Sequence, residues 1–538
     1  SAAAVPAAAP GLANPQRAID PGVPSSSVAV YLLSPLVTAD LPVGFRICWS
    51  PNPANSSAAS FPMEVHYPVA HSPVPFFEDR VGAIALTRLE SNRHGQHRVL
   101  AIYGDTTMLS TRTARSSGDA RLDFDCCANA GFAAGVVLEV LEDFVRKSAG
   151  YVFHDRPVDD ISGAALSVRE ALLQGVQCRD ACGDEFTSVP TDFVLAGGFR
   201  DLASPTRAQG GIMLLKAEPS GPFGSLSWQA RRVPRHLVQA PRNLATHCSS
   251  SDTTAACSFV NHDHTQSLRV VALSPTRLLA TFVDGADEKG AVVVINVVHH
   301  LLNEWEIQTG LKTVFNEGPT SNCDVTGLSA TTALVAFADN STGSVQARVV
   351  RVDGSGTDAV TLGPAITIGT GNLTPSAGAA NTTNASWNYS ATHRRVSAGA
   401  LGDRQALVGY GPIQGSGEVA LILVDGLVAE RAASLPLRST NADDLHIVPL
   451  GTTRKAFAVY RDEADGGVAK AQEVDVYEDF NGVAYKIGPG SLVTFTSSRA
   501  ESLTAIGLNN SAALAAYRAT SSSDQGHVAV LTATFVKP

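Results

Sequence analysis

The sequence predicts an all-β protein built from a repeated antiparallel unit, and two observations support this. Hydrophobic residues make up 44% of the 538 residues and charged residues only 17%, which suits tightly packed sheets joined by polar turns. In addition, seven short apolar runs each end in an aromatic residue that precedes a turn-rich loop. We call these residues the aromatic anchors: Tyr103, Phe199, Phe282, Phe337, Tyr410, Tyr460 and Tyr517. A recurring strand unit of this kind predicts small sheets arranged around an axis.

The chain before the first anchor has two parts. Residues 1–26 are rich in Ala, Pro and Ser and predict an extended N-terminal arm. Such a composition cannot bury enough apolar surface to offset its ordering entropy, so an ordered arm must rest on its own domain or on a neighbouring molecule. Residues 27–80 predict a strand at Val28–Leu33 and then an irregular, Pro-rich segment anchored by Cys48 and Trp49.

Residues 81–538 predict the repeated domain, with an insertion at about 116–190 in which Ile161–Leu173 has helical spacing. Each clear unit begins with a strand that ends in Leu, turns into the strand that carries the anchor, and opens a third strand with Gly-x-Val. This order is an antiparallel meander. The closing leucines are Leu273, Leu328, Leu401, Leu450 and Leu508. Small residues precede most anchors, which lets neighbouring units approach closely: Ala280, Ala336, Gly409, Ala458 and Ala516.

One meander cannot hide both faces of its sheet, so neighbouring units must stack, and closing them into a ring removes the exposed ends. From about residue 80 to 538 the pattern resembles β-propeller repeats. The resemblance implies a β-propeller of seven blades if each anchor marks one blade, with six or eight as alternatives.

The resemblance does not extend to one propeller family. The chain has no Trp-Asp dipeptide of the WD40 type. Ser522, Asp524 and Gly526 match the first half of the Ser-x-Asp-x-Gly-x-x-Trp box of sialidase-like propellers, but Ala529 stands where the Trp belongs. We therefore transfer no family's catalytic residues to this chain.

The charge and hydropathy patterns argue against a nucleic-acid partner and against a transmembrane segment. The formal net charge is −10, and no basic stripe or cluster interrupts the chain, so nucleic acid is not an expected partner. The chain also has no apolar run of about 18 residues, so we expect no transmembrane segment.

Eight cysteines form an even set without a CxxC pair, which argues against zinc ribbons and favours disulfide bonds. Cys178 and Cys182 bracket a short polar turn, and Cys248 and Cys257 bracket a Ser/Thr/Ala loop, so both pairs are typical of local staples. The alternative is a set of buried thiols. The predicted disulfide residues are Cys48, Cys126, Cys127, Cys178, Cys182, Cys248, Cys257 and Cys323.

Seven Asn-x-Ser/Thr sequons support a secreted or cell-surface glycoprotein, because a glycan needs a surface position. The predicted attachment sites are Asn55, Asn340, Asn372, Asn381, Asn384, Asn388 and Asn509. The start at Ser1 fits a mature N-terminus after signal removal.

An Asp follows five of the anchors at a distance of two residues. These residues are Asp105, Asp201, Asp284, Asp339 and Asp462. Turn chemistry, in which Asp accepts hydrogen bonds from loop amides, is the main interpretation. The alternative is a ring of carboxylates that binds Ca²⁺. His262, Asp263 and His264 offer a weaker metal site, and His299 and His300 a weaker one still.

The sequence carries no Gly-x-Ser-x-Gly elbow, His-Glu-x-x-His motif or phosphate-binding glycine loop, so we expect no enzyme activity and no cofactor, calcium apart. The leading hypothesis is a structural or protein-interaction subunit of an extracellular assembly. Its partners are other protein subunits or further copies of the chain reached through the arm. One alternative is a glycan-binding lectin that uses Trp49, Trp228, Trp305 or Trp387. Another is a glycoside hydrolase or lyase, which needs paired carboxylates at the centre.

Overall fold

The computed structural model describes residues 45–49, 59–65, 69–89, 97–106, 131–141, 144–147, 151–158, 161–166, 192–201, 209–219, 228–232, 238–239, 259–300, 304–354, 360–370, 395–412, 415–478, 484–533 and 536–537. Two short 3₁₀ turns occur at Glu463–Asp465 and Thr520–Ser522. The strands are β1 (Phe45–Trp49), β2 (Ala59–Val65), β3 (Val69–Ala70), β4 (Val74–Leu89), β5 (His97–Asp105), β6 (Gly131–Leu141), β7 (Phe144–Lys147), β8 (Tyr151–Val158), β9 (Ser162–Leu166), β10 (Asp192–Asp201), β11 (Gln209–Pro219), β12 (Trp228–Arg232), β13 (Val238–Gln239), β14 (Phe259–Ala272), β15 (Arg277–Asp284), β16 (Lys289–His300), β17 (Glu304–Thr309), β18 (Thr313–Gly327), β19 (Thr332–Asp339), β20 (Ser344–Val352), β21 (Val360–Leu362), β22 (Ile366–Thr370), β23 (Val396–Gly402), β24 (Gln405–Tyr410), β25 (Glu418–Asp425), β26 (Val428–Pro436), β27 (Ala442–Pro449), β28 (Lys455–Asp462), β29 (Val468–Glu478), β30 (Tyr485–Thr494), β31 (Ala500–Gly507), β32 (Ala512–Ala519), β33 (Gln525–Thr532) and β34 (Val536–Lys537).

The strands form antiparallel units of the predicted kind. In each unit the aromatic anchor lies on the second strand, which pairs with the first strand on one side and the third on the other. The pairings are β4–β5–β6–β7, β9–β10–β11–β12, β14–β15–β16–β17, β18–β19–β20–β21, β23–β24–β25–β26, β27–β28–β29–β30 and β31–β32–β33–β3. The prediction of a repeated antiparallel meander is confirmed.

The units are arranged in a closed order through their first strands. Strand β4 contacts β9, β9 contacts β14, and the contacts continue through β18, β23, β27 and β31. Strand β31 then contacts β4, so the last unit meets the first. Stacked antiparallel sheets in a closed order around an axis make the fold a β-propeller.

The ring is closed by strands from the two ends of the chain. Strand β33 of the last unit pairs with β3 at Val69–Ala70 and with the first half of β4. Strand β34 pairs with β2, which pairs with β1. The first halves of β14 and β18 likewise pair with the third strand of the preceding unit. At the junctions that they span, these pairings between units add backbone hydrogen bonds to side-chain packing.

Two sequence-based expectations are corrected. The helical spacing over Ile161–Leu173 was misleading, because Ser162–Leu166 is the strand β9, which pairs with β10. Pairing along a neighbouring strand overrides a short local pattern. The 40–80 region is also less irregular than predicted, since it contains β1, β2 and β3, and β4 runs across residue 80. The predicted strand at Val28–Leu33 and the arm at residues 1–26 lie outside the described residues.

The core consists of apolar layers between neighbouring units. One layer joins the unit of Phe337 to that of Tyr410, and it contains Ala336, Val408 and Ile422, all fully buried. Among the anchors whose side chains are described, the most exposed, Tyr410 and Tyr517, are only 4% exposed. Each layer is thus completed by the next unit, so no single unit forms a core alone.

Replacing Ala336 with Leu should lower the free energy of unfolding by about 1–3 kcal/mol, because the added atoms overpack the layer between two units. Chemical denaturation measures the change. Ala432, which is exposed on the outer strand β26, provides the matched control, and Ala432→Leu should leave stability almost unchanged. Equal stabilities of the two variants would contradict the assigned register.

Candidate functional site

A cavity of about 230 Å³ lies where the first strands meet. Two or three consecutive residues of each first strand line it, and one of them stands at an equivalent position in every strand. We call the residues at this position the axial ring: Ala85, Ser162, Arg269, Asp324, Ser397, His446 and Thr504. Each pairs with a residue just ahead of the aromatic anchor of its unit, for example Asp324 with Ala336 and Ser397 with Gly409.

β-Bulges accompany several of the axial ring positions. The register of the first strand shifts between Gln266 and Arg269, between Asp443 and His446, and between Glu501 and Thr504. In each case the residue two positions before the ring residue has a positive φ: 48° at Ser267, 46° at Asp444 and 50° at Ser502. A bulge bends the strand and re-aims the side chain that follows. The repeated bulge therefore helps to set where the ring side chains point.

Part of the axial ring satisfies the backbone of the neighbouring first strand. Ser162 Oγ accepts a hydrogen bond from the Val270 amide at 3.1 Å, and Ser397 Oγ accepts one from the Ile447 amide at 3.0 Å. Asp324 Oδ2 accepts one from the Ala398 amide at 3.0 Å. A first strand has no further strand on its axial side, so its amides need side-chain partners when buried. These ring residues act as hydrogen-bond acceptors that join adjacent units.

The axial ring also concentrates charge on the axis. Arg269, Asp324 and His446 are 7%, 6% and 6% exposed. One guanidinium nitrogen of Arg269 donates to the Leu268 carbonyl oxygen at 2.7 Å. The formal charges of Arg269 and Asp324 cancel when His446 is neutral. Among the described residues that line the cavity, Asp324 supplies the one carboxylate, so the paired carboxylates that a glycoside hydrolase needs are not formed by these residues.

Sequence reasoning missed the axial ring, although a simple signal marks it. Every ring residue stands four positions before the leucine that closes its first strand: 85 before 89, 162 before 166, 269 before 273, 324 before 328, 397 before 401, 446 before 450 and 504 before 508. Six of these seven positions hold polar residues.

The predicted aspartates lie away from the axial cavity, at the turns that follow the second strands. Asp284 Oδ1 accepts from the Ala286 amide at 3.0 Å, Asp339 Oδ1 from the Ser341 amide at 2.9 Å, and Asp462 Oδ1 from the Ala464 amide at 3.2 Å. Asp105 is buried at the end of β5, and Asp201 ends β10 with its side chain outside the described region. The observed contacts are those of turn chemistry.

Hydrogen bonding also lowers the pKa of one of these carboxyl groups, that of Asp339. Burial alone would raise the pKa of Asp339, but hydrogen bonds from Ser341, Thr342 and Asn316 outweigh it and lower the pKa below its usual value. Asp339 is therefore held ionised by its own turn together with Asn316 of β18. No group of three or more His, Cys, Asp or Glu that could hold a metal occurs in the part of the chain that the structure describes. The calcium ring remains a hypothesis that equilibrium dialysis tests.

The other residues predicted to contact metals or sugars lie mostly on strands, and their side chains are outside the described region. His262, Asp263 and His264 lie on β14, and His299 and His300 end β16. Trp49, Trp228 and Trp305 lie on β1, β12 and β17. For all of these only the strand position is described, and Trp387 is outside the described residues. The axial cavity draws its described lining from other residues.

The described cysteines lie on strands. Cys323 is buried on β18, with its Sγ 3.2 Å from the Ser267 carbonyl oxygen of the neighbouring unit, and Cys48 lies on β1. Six further cysteines are outside the described residues: Cys126, Cys127, Cys178, Cys182, Cys248 and Cys257. The disulfide assignment stays a prediction.

Two sequons fall in described turns, and their surroundings differ. Asn340 is exposed in the turn after β19. Asn509 is half-buried; its Oδ1 accepts from the Ser511 and Ala512 amides, each at 2.7 Å, and its Nδ2 lies 3.0 Å from His97 Nε2. This last contact joins the last unit to the first. The remaining sequons are outside the described residues: Asn55, Asn372, Asn381, Asn384 and Asn388.

Stability should fall as the pH drops below 6.5, the ordinary pKa of His. Burial and the charge of Arg88 lower the pKa of His97, and burial lowers that of His527. The folded state therefore favours neutral imidazoles, and the stability that they contribute is complete above 6.5 and is lost as the pH falls through the folded pKa. Thermal melts across this range measure the loss. The double variant His97→Gln, His527→Gln should show a smaller loss, and an unchanged pH profile would contradict the assignment.

Comparisons with known proteins give distant structural likenesses. No protein-family model matches the chain, and no curated protein matches it. A protein of unknown function from Dyadobacter fermentans is similar with a TM-score of 0.39 and 10% identity, over 88% of this chain and 99% of that chain. A six-bladed β-propeller lectin from Aleuria aurantia gives 0.33 and 10%, over 69% and 95%.

The Hadza microbial sialidase Hz136 gives a TM-score of 0.35 and 10% identity, over 72% of this chain and 66% of that chain. Likenesses this distant carry no argument about function. The propeller fold of this chain follows from its own strand pairing. No helix long and apolar enough to cross a membrane is present in the described parts of the chain.

Proposed function

We propose that this propeller has seven blades and serves as a non-enzymatic structural or protein-interaction subunit of an extracellular assembly. The blade count is supported by the pairings, since each aromatic anchor lies on its own four-stranded unit. The closed order of first-strand contacts has one member from each of these units.

One observation carries the structural role. Many of the polar side chains concentrated at the axis and at the turns are hydrogen-bonded to the protein's own backbone. Ser162, Asp324 and Ser397 bind amides of the next unit, and Asp284 and Asp339 bind amides of their own turns. Chemistry-bearing residues used in this way rigidify a scaffold. A rigid propeller presents its loops and edges to partners without rearrangement.

The N-terminal arm provides the proposed link between subunits. Its structure lies outside the described residues, and the proposal rests on its Ala/Pro/Ser-rich composition. Deleting residues 1–26 should leave the melting temperature unchanged and abolish self-association, which size-exclusion chromatography with light scattering measures. Replacing residues 1–26 with a Gly/Ser segment of equal length is the control for chain length. Unchanged oligomers in both variants would contradict the role of the arm.

Secretion is a separate part of the proposal, supported by the sequons and the even number of cysteines. Glycopeptide mapping of the protein from its native source tests it. We expect a glycan on the exposed Asn340 and none on Asn509, whose amide already makes the contacts that join the last unit to the first. A protein without any occupied sequon and without disulfides would contradict the extracellular location, whereas the arm experiment would stand unaffected.

A further inference from the structure

Three members of the axial ring follow a structural rule that Arg269 breaks. In three cases the ring side chain of one unit accepts a hydrogen bond from the amide directly after the ring residue of the next unit. By this rule Arg269 faces the amide of Val325, which follows Asp324. A guanidinium donates hydrogen bonds and accepts none. Arg269 therefore cannot have the role that Ser162, Asp324 and Ser397 share, and its presence on the axis needs another explanation.

Burying a charge on the axis is costly. Arg269 is 7% exposed, and taking a charged group out of water costs several kcal/mol unless partners compensate. A Ser at this position, as at the equivalent positions 162 and 397, would accept from the Val325 amide without burying a charge. Departures from a repeated local pattern are found at functional sites. Arg269 thus places hydrogen-bond donors on the axis where the rule calls for an acceptor.

The composition of the cavity selects a class of ligand. Arg269 supplies donors, Asp324 supplies acceptors, and Ser162, Ser397 and Thr504 supply hydroxyls that both donate and accept. With His446 neutral the charges of Arg269 and Asp324 cancel, so a ligand with a net charge would bring an uncompensated charge into a buried wall. Hydroxyl groups on a neutral ligand accept from the arginine and donate to the carboxylate.

The volume limits the size of the ligand. At about 230 Å³ the cavity lies below the range of about 300–1,000 Å³ typical of pockets for drug-sized molecules. Water alone would fill it with about seven or eight molecules at about 30 Å³ each. We propose that the axial cavity binds a small, neutral, polyhydroxylated molecule of monosaccharide size, with Arg269 and Asp324 as its polar contacts. The proposed binding site does not depend on the role that we propose for the protein in an extracellular assembly, and it adds a second function to that role.

Saturation-transfer difference NMR on the full-length protein tests the proposal. The probes are D-glucose, D-galactose and myo-inositol, with zwitterionic glycine and anionic methyl phosphate, whose carbon-bound protons can receive transfer, as charged probes. We expect transfer to at least one polyol and none to methyl phosphate. Arg269→Gln should weaken the binding of that polyol about tenfold or more, because a charge-assisted hydrogen bond is lost. Arg351→Gln makes the same substitution in an exposed ion pair with Asp353 and should leave binding unchanged.

A second variant locates the site without removing a polar group. Ala85 is the ring position with an apolar side chain, and Ala85→Leu should fill the cavity and abolish binding while Arg269 and Asp324 remain. Ala85→Val replaces it if the larger variant does not fold. The proposal is overturned if no polyol binds, which leaves a water-filled cavity, or if methyl phosphate or glycine binds in preference. Wild-type affinity in a folded Ala85 variant overturns it as well.

Discussion

Replacing Arg461 with Met should lower the free energy of unfolding by about 3–5 kcal/mol. Arg461 is 1% exposed, and its guanidinium lies 2.8 Å from Asp443, 3.0 Å from Asp444 and 2.7 Å from Glu463. Burial lowers the pKa of Arg461, but the three carboxylates outweigh it and raise the pKa. Removing the cation leaves Asp443 and Asp444 as buried charges with less compensation. Breaking a buried ion pair by removing one partner lowers the free energy of unfolding by about 3–5 kcal/mol. Equilibrium denaturation measures the loss.

The control for this variant lies on the same propeller unit. Arg454 and Glu478 are 2.7 Å apart, but their side chains are 47% and 43% exposed, so water screens the pair. Arg454→Met should therefore change stability by about 0–1 kcal/mol. A double-mutant cycle of Arg461→Met with Asp443→Asn should show coupling, because the neutral amide no longer needs the guanidinium. Equal losses for Arg461→Met and Arg454→Met would show that the buried network is energetically unimportant.

Arg461 belongs to a set of ion pairs that joins neighbouring units. Arg395, just before β23, lies 3.3 Å from Asp443 of the following unit. Glu463 lies 2.8 Å from Arg499, which precedes β31 of the unit after that. The Arg461 variant should therefore loosen contacts between units as well as within its own. Hydrogen exchange that accelerates on β23 and β31 as well as on β28 would reveal this.

The repeated unit could be predicted because its signals are local. An anchor such as Phe337 stands at a fixed distance from the turn residue Asp339, and the short apolar run that ends at the anchor predicts the strand that carries it. Closure of the ring could not be predicted in the same way. The pairing of Val69 with Thr532 joins residues from opposite ends of the chain, and nothing in either segment specifies its partner.

The axial cavity, like the closure of the ring, could not be predicted from local sequence signals. The four-residue distance from each ring residue to the closing leucine is visible in the sequence. That Arg269 and His446 line one cavity follows only from the folded strands, in which each pairs with the residue before an aromatic anchor. The aspartates were easier to interpret, because an Asp two residues after an anchor and next to a turn favours a hydrogen bond to a nearby amide. Asp284 and Asp339 make that bond. Local chemistry was predictable, and contacts between units were not.

Replacing Gly411 with Ala should destabilise the protein by about 1–3 kcal/mol, since overpacking between two backbones leaves little room for relaxation. A Cβ at Gly411 would lie 2.1 Å from the carbonyl oxygen of Ala442 and 3.0 Å from its carbonyl carbon. Both contacts are with the backbone of the neighbouring unit. A side chain can rotate away from a clash, but here β27 itself must move.

Moving Ala442 would also disturb the ion pairs, because the adjacent Asp443 contacts both Arg395 and Arg461. Gly411→Ala and Arg461→Met should for this reason be less than additive in a double variant. Gly402→Ala is the control, since nothing lies within 4 Å of a Cβ built there. Urea denaturation of the two glycine variants should give a clear loss for Gly411→Ala and almost none for Gly402→Ala. Similar stabilities would mean that the two backbones are not in close contact at this point.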